Sequence, residues 1–367
     1  MTTLDLLLVG FGHVAQRFVT LLDEQRAPLA REHGINARVV GIVTQRHGQA
    51  FAARGLDAAA LALRASRGEA IGRTEPHAAA TVIRDVAGAS TAVRDGRFVV
   101  VETTTLDVAC GQPAVDHVRT ALKEGAHVIT ANKGPAAFAY RALAQTATRA
   151  GRRFLFEGAV MDGIPIFNLV RETLPTVRIL GFRGVVNSTT NHILTAMETG
   201  RPFADALAEM QAAGIAEADA SLDVEGWDAA AKTAALANVL LGARLTPQTV
   251  EREGIGAAIG ARAVAARSAG RRLKLVARAG REGARVSARV APEELAHDDL
   301  LAGLEGQQNA IILETDLLGE MAIVQRGSGL TQTAYALLSD LVTIGREAAA
   351  WPSARPARAA VRRRRAS

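Results

Sequence analysis

Between Gly214 and Thr233 the chain reads GIAEADASLDVEGWDAAAKT, a stretch with five carboxylates (Glu217, Asp219, Asp223, Glu225, Asp228) and one lysine, Lys232. From about Glu225 it predicts a helix, with acidic residues in the first turn and then the strong helix formers Ala229 to Ala231. On that helix Asp228 and Lys232 stand four residues apart and share one face. Many such pairs are plain surface ion pairs worth about 0.2–0.5 kcal/mol. A carboxylate beside an ammonium, approached by a loop of further carboxylates, also suits a zwitterionic substrate whose hydroxyl exchanges a proton.

Lysine usage bears on the choice. The chain has 43 basic residues and only four are lysines: Lys123, Lys133, Lys232 and Lys274. Arginine stays protonated, whereas lysine gives up its proton where a site depresses its pKa. Lysines kept against an arginine background are therefore candidates for proton transfer or close charge positioning. Lys232 and Lys133 fit that role. Lys123, in an ordinary LKEGA helix end, and Lys274 read as bland.

The elements that must position these residues begin with Leu4–Val9, an apolar strand running into Gly10-Phe11-Gly12-His13-Val14-Ala15 and a helix through about Glu24. Strand, glycine turn and helix in this order form the context in which G-x-G-x-x-A marks a dinucleotide site. Gly10 allows the tight turn, Gly12 admits a pyrophosphate to the backbone, and Ala15 permits close helix–strand packing. The phosphates then sit at a helix N-terminus. The second strand, Ala37 to Val43, ends in Thr44-Gln45-Arg46-His47 without the acid that usually holds the ribose hydroxyls of NAD. Arg46 suits a 2′-phosphate, so NADP is the preferred cofactor, with NAD the alternative.

A weakly patterned stretch, Gly48 to Ala80, reads as surface helices. Strands then recur at 98–101, 127–130 and 153–156 with helices between them, which implies a parallel, doubly wound sheet. Ligands bind beyond the strand C-termini of such sheets, where Thr103, Thr104 and Lys133 fall. Past the glycine-rich loop EGAVMDGIP the pattern changes. Strands at 177–186, 271–279, 285–290, 310–313 and 320–325 suggest a mixed or antiparallel sheet, followed by a last helix at about 330–346. The fold class is α/β: a Rossmann-type doubly wound sheet with a second α+β unit. The expected divisions are a dinucleotide-binding domain at 1–150, a substrate and dimerisation domain at 151–329, a returning helix at 330–350, and a basic tail at 351–367.

Composition narrows the function class. A single cysteine, Cys110, rules out an internal disulfide framework and fits a reducing, cytoplasmic setting. The acidic Asp5 ahead of a strand pattern is no signal peptide, and no apolar run reaches membrane-spanning length. The formal charge is +6, but six arginines crowd the last 17 residues, which carry no acid. The body is close to neutral, so nucleic-acid or membrane-surface binding would rest on a tail that reads as a disordered end.

Taken together, GFGHVA, TANKGP, EGAVMDGIP, NSTTNHIL and EADASLDVEGWDAAAK, in this order over about residues 1 to 350, resemble the homoserine dehydrogenase family. The resemblance implies NAD(P)-dependent interconversion of L-homoserine and L-aspartate 4-semialdehyde in threonine, methionine and isoleucine biosynthesis, by an enzyme usually assembled as a homodimer. It makes Lys232 the proton donor and acceptor, with Asp228 beside it and Lys133 between nicotinamide and substrate. Glu217 matches the glutamate that holds the substrate amino group, Asp223 a further substrate-side carboxylate, and Thr189 lies in the NSTTN substrate motif. Gly327 belongs to a C-terminal glycine turn on the cofactor side. The loop Glu157, Val160, Asp162 and Ile164 resembles a monovalent-cation site (Na+ or K+). Ser188 and Ile215 stand where the family usually has glycine and tyrosine. The chain ends soon after the last helix, so feedback through a C-terminal ACT domain is not expected. Two other readings stay open: a related dehydrogenase of another amino-acid aldehyde or alcohol, and a non-catalytic dinucleotide-binding sensor.

Overall fold

The computed structural model describes residues 1–74, 78–212, 219–283, 285–327 and 329–350. Glu217, Ile215 and the basic tail lie outside the described residues. The chain begins with β1 (Thr2–Val9), α1 (His13–Glu24), α2 (Arg26–His33), β2 (Ile35–Val43) and β3 (Gln49–Phe51). It continues through α3 (Ala58–Ser66), α4 (Ala79–Ala89), α5 (Thr91–Arg94), β4 (Phe98–Glu102), α6 (Ala114–Lys123), β5 (His127–Thr130), α7 (Gly134–Ala150) and β6 (Phe154–Leu155). These strands form one sheet in the order β3-β2-β1-β4-β5-β6. All neighbours are parallel except β3, which turns back antiparallel on β2. The weakly patterned stretch therefore supplies an edge strand as well as a helix, and the sheet runs to Leu155, past residue 150.

Strand order reverses between β1 and β4, which opens the crevice where doubly wound sheets bind ligands. Register makes that crevice a level rim: Val43 and Glu102 both pair with Val9, and Glu102 pairs with Thr130. The loops after four strands thus start at one height. Alternation along β1 sends Leu4, Leu6 and Leu8 to one face and Leu7 and Val9 to the other.

The second half contains α8 (Ile166–Asn168), β7 (Ile179–Val185), α9 (Ser188–Met197), α10 (Phe203–Ala212), α11 (Ser221–Val224) and α12 (Trp227–Leu240). Next come β8 (Glu251–Arg252), α13 (Gly260–Ser268), β9 (Arg271–Glu282), β10 (Arg285–Ala296), β11 (Asn309–Thr315), β12 (Gly319–Gln325) and α14 (Leu330–Ala350). The second sheet has the order β12-β11-β7-β9-β10-β8 and is antiparallel except for β8 on β10. Helices α9, α12 and α13 pack on it. Helix α14 returns to the first sheet, burying Leu337, Leu341 and Ile344 against Leu4, Leu6 and Leu8. Gly345 permits this approach, since a Cβ there would meet Ile35 Cδ1 at 2.4 Å. The acidic stretch begins its helix a little later than expected: α11 is one short turn, and Gly226, at φ +79°, opens α12 at Trp227. Among the described residues no helix is long and apolar enough to cross a membrane.

At the opposite end of the first sheet from the rim, His127 is buried at the start of β5. Its Nδ1 accepts the Arg153 N–H (3.0 Å) and its Nε2 donates to Gly96 O (3.1 Å), which fits a neutral ring. Burial, helped by Arg152 and Arg153, lowers its pKa to about 4. The unfolded chain takes this proton near 6.5. The stability supplied by the neutral ring is therefore complete above pH 6.5 and is lost as pH falls from 6.5 toward 4, by at most about 3 kcal/mol. Gln in place of His127 can make both hydrogen bonds without titrating. The melting temperature of the parent should drop more steeply over that window than that of His127→Gln, and parallel curves would refute this role.

Candidate active site

The ion pair anticipated on α12 is present, with Lys232 Nζ 2.9 Å from Asp228 Oδ2. The other oxygen of the same carboxylate, Oδ1, lies 3.2 Å from Lys133 Nζ. Lys133 immediately precedes α7 on the first sheet, whereas Asp228 and Lys232 belong to a helix of the second. The three side chains are 21%, 15% and 15% exposed, so the group is half-hidden but reachable. Lys232 also donates to Val186 O at 2.7 Å, just beyond β7.

Asn187 completes the cluster, and sequence reasoning gave it no role. Its Oδ1 caps α9 by accepting the Thr190 N–H (2.9 Å), which leaves Nδ2 to donate to Asp223 Oδ1 (2.7 Å) and Asp228 Oδ2 (3.0 Å). Its signal was legible only as an N-cap before Ser188-Thr189-Thr190. Of the five carboxylates in the acidic stretch, Asp223 and Asp228 meet at this amide. Asp219 instead accepts the Ser221 N–H, and Glu225 accepts from Trp227 Nε1.

The charges act strongly on one another. Burial alone would raise the Asp228 pKa, but Lys232 and Lys133 overcome it and hold the carboxyl well below the usual carboxylate range. Burial alone would lower that of Lys232. Asp228, Asp162 and Asp223 outweigh it, and the ammonium is held above the ordinary lysine value. Asp223 is pushed up, first by burial and then by Asp228. It has an amide partner in Asn187 rather than a lysine of its own.

The rim of the first sheet is built as its residues require. Gly10, at φ +91°, lies so close to the loop after β4 that a Cβ would meet Thr103 C at 2.8 Å. Thr103 donates its N–H to Val9 O at 2.8 Å, and Phe11 is buried. Gly12 opens α1 with no side-chain cap, and a Cβ there would meet nothing within 4 Å. Open space over an uncapped helix N-terminus fits the pyrophosphate of a dinucleotide. His13 is exposed and Val14 half-buried beside it, while Arg46 is exposed in the turn after β2. Gly327 is exposed ahead of α14, whose Thr331 accepts from Arg17 of α1 (3.0 Å).

A buried carboxylate, Glu102, underlies this rim without having been singled out. It accepts from the Thr104 N–H (3.0 Å), the Thr104 hydroxyl and the Thr130 hydroxyl (2.7 Å). Asn132 then ties the loops together, donating to Thr104 O and accepting the Gly134 N–H. Lys133 is thus held on both sides.

The loop from Glu157 to Ile164 turns through a 3-10 segment and through Asp162 at φ +48°. The Glu157 carboxylate accepts the Phe167 (2.8 Å) and Asn168 (2.6 Å) N–H groups, and burial with Asp340 nearby raises its pKa to about 8. The Val160 and Ile164 side chains are buried, and Asp162 accepts from Thr333. Among the described residues no group of three or more His, Cys, Asp or Glu is placed to hold a metal ion. Lys274, read as bland, is wholly buried, and its ammonium donates to Asn191 Oδ1 (3.0 Å) and Leu304 O.

The open space at Gly12 separates folding from cofactor binding. The Cβ of Gly12→Val meets nothing within 4 Å and the position needs no left-handed backbone, so the cofactor-free melting temperature should fall by no more than about 4 °C, the cost of an apolar N-cap. NADH and NADPH affinity should fall at least about tenfold, since methyl groups would occupy the phosphate approach. Fluorescence titration checks this, and unchanged affinity for both cofactors would place the nucleotide elsewhere.

Comparison with known proteins agrees with this architecture. A model described as the NAD-binding domain of homoserine dehydrogenase matches residues 10–157, and one described as homoserine dehydrogenase matches 165–342. An NAD(+)-dependent homoserine dehydrogenase of Pseudomonas canavaninivorans is 38% identical over 353 residues, spanning 95% of this chain and 98% of that one. The homoserine dehydrogenase of Methanocaldococcus jannaschii is 35% identical, over 93% and 98% of the two chains. A crystal structure of a putative homoserine dehydrogenase from Archaeoglobus fulgidus superposes with a TM-score of 0.80 at 31% identity, covering 93% of this chain and 99% of that one. With a glycine turn at the rim of one sheet, a lysine–carboxylate cluster joining it to the other, and relatives matched over more than nine-tenths of both chains, the chain belongs to the homoserine dehydrogenase family of NAD(P)-dependent oxidoreductases.

Proposed function

We propose that Lys232 Nζ is the proton donor and acceptor for the substrate oxygen in the reversible conversion of L-aspartate 4-semialdehyde to L-homoserine. The observation that carries this reading is the single carboxylate of Asp228 held between Lys232 and Lys133 at the junction of the two sheets. When bound, the nicotinamide exchanges a hydride with the carbon that bears this oxygen. In the reducing direction Lys232 passes a proton to the oxygen as negative charge develops there, and its own charge stabilises the transition state. In the oxidising direction the neutral amine takes the hydroxyl proton. Asp228 orients both ammonium groups. Asp223 awaits a cation, because burial and Asp228 both disfavour its charge, and the substrate ammonium relieves that cost. Glu217 shares this task by family match. Thr189, buried in the first turn of α9, stands at a helix N-terminus suited to the substrate carboxylate.

The cofactor has two readings. Arg46, exposed after β2 with no acid before Asp57, favours the 2′-phosphate of NADP. The similarity to the NAD(+)-dependent homoserine dehydrogenase of Pseudomonas canavaninivorans favours NAD. Arg46→Asp decides between them: for an NADP enzyme it weakens NADPH far more than NADH, and equal losses show that Arg46 does not read the phosphate.

Backbone oxygens of Glu157, Val160 and Ile164, with Asp162, are the candidate holders of a monovalent cation. A homodimer is supported by exposed apolar residues at and beside the second sheet, among them Leu180, Leu317, Leu318 and Val324. The lone, exposed Cys110 suits the cytoplasm.

The decisive assay follows NADPH and NADH oxidation with aspartate semialdehyde, with simple aldehydes as controls. Lys232→Arg keeps the charge but not the proton exchange, so turnover should fall by about a hundred- to ten-thousand-fold. Turnover within about threefold of the parent, far short of a general acid–base loss, would sink the assignment. The raised Lys232 pKa also sets a pH asymmetry. Reduction uses the protonated majority and should hold at alkaline pH, while kcat/KM for oxidation should climb with pH as the neutral amine appears. A flat oxidation profile up to pH 10 would assign the proton to another group.

A further inference from the structure

Two polar side chains are buried on α12, Thr233 and Asn238. Thr233 bonds back to its own helix at Ala229 O (2.7 Å). Asn238 bonds outward. Its Nδ2 lies 3.1 Å from Ala136 O and 3.0 Å from Ala137 O in the first turn of α7, and 2.9 Å from Leu245 O. Its Oδ1 accepts the Leu245 N–H at 2.7 Å. A helix of the second sheet is thereby pinned to the start of a helix of the first.

The surroundings make this contact informative. Apart from these two residues, the buried side chains of α12 are six alanines and a leucine. Those of α7 are small as well, mainly glycine, proline and alanine. Such faces let the helices approach closely, but apolar burial is non-directional, and methyl groups set little resistance to a slide along the helix axis. A hydrogen bond weakens steeply with distance and angle. Between α7 and α12, Asn238 supplies the directional term.

Register matters here because of what the two helices carry. Lys133 immediately precedes α7, and Asp228 and Lys232 lie in the first turns of α12. The 3.2 Å contact from Lys133 to Asp228 crosses the same junction. A displacement of about 1 Å would open it, and errors of that size cost about a hundredfold in rate.

We propose that Asn238 is a positioning residue for catalysis, setting the register of α12 on α7 and so holding Lys133 against the Asp228–Lys232 pair. This rests on the reading of those three residues as the reacting group. It differs from a merely local role, in which Asn238 only closes the turn at Leu245.

Asn238→Asp, measured in the parent and in a Lys133→Met background, separates the two. The carboxylate still accepts the Leu245 N–H but has no hydrogen to give to Ala136 O, Ala137 O or Leu245 O, so the separation comes from the Lys133→Met background. Turnover should fall about tenfold to a hundredfold, with KM for the reduced cofactor within about twofold of the parent. Asn238→Ser, whose short side chain withdraws from α7 without adding charge, should show the same split. Thermal melts verify folding, and the serine variant carries the test where the aspartate variant does not fold. The double-mutant comparison is the sharper readout. In a Lys133→Met background the contact that Asn238 aligns is already gone, so adding Asn238→Asp or Asn238→Ser should cost no more than about twofold. Equal losses in both backgrounds, or parent-like turnover in the folded Asn238 variants, would overturn the proposal. Failure of the underlying reading shows separately, as full turnover in Lys133→Met alone.

Discussion

The carboxylate of Asp228 is the constraint on which the rest of the site depends. Two ammonium groups, one from each sheet, approach its two oxygens, with Asn187 added on the Lys232 side. Without this anion the two partly buried lysines would repel, and each would be driven toward losing its proton. With it, Lys232 keeps its proton and Asp228 stays ionised. Such a cluster contributes little to net stability once desolvation is counted, and breaking one member is costly because the others are left uncompensated. Its value is therefore in placement, which means both sheets must be built to deliver their lysine to one point.

The first sheet does this through the level rim. Because Val43, Val9, Glu102 and Thr130 end their strands in register, the phosphate turn, the threonine loop and the Lys133 turn begin together. Glu102 then converts proximity into rigidity. Its oxygens gather hydrogen bonds from Thr104 and Thr130, Thr130 in turn accepts the Asn132 N–H, and Asn132 reaches back to Thr104 O. The second sheet contributes through helices rich in alanine, which let α12 approach α7 closely enough for a lysine to cross the gap. Small residues allow that approach and polar ones define it.

How much of this the sequence revealed follows the range of each interaction. The strand–glycine–helix entry, the alternation of the later strands and the pairing of Asp228 with Lys232 are local, governed by spacings of two or about four residues, and they were legible. The bond between Lys133 and Asp228 was not, because 95 positions separate them and no periodicity reports a contact between helices of different sheets. Asn187 and Asn238 were invisible for a related reason. Their types are common at caps and loops, and what distinguishes them is which backbone or carboxylate groups surround them. Edge strand β3 was missed because its three residues pair with β2 through a turn and not through an apolar pattern.

The scarcity of lysine marks more than one kind of site. Lys274 is as sheltered as any residue in the chain, yet its environment differs from that of Lys232. Its ammonium lies among neutral acceptors, Asn191 Oδ1 and Leu304 O, and among the described residues no carboxylate is in hydrogen-bonding contact with it. Burial therefore dominates, and its pKa falls to about 8 despite the pull of Glu198. Around Lys232 three carboxylates overcome burial and move the pKa the other way. One wholly buried lysine and one partly buried lysine thus have their pKa values moved in opposite directions. A rare lysine marks a site where an ammonium on a slender stem fits and a guanidinium does not, as holds in a packed interior as much as in a catalytic cleft. Only the neighbouring charges separate the two: Lys274 fastens the loop at Leu304 to α9, and Lys232 is paired with Asp228.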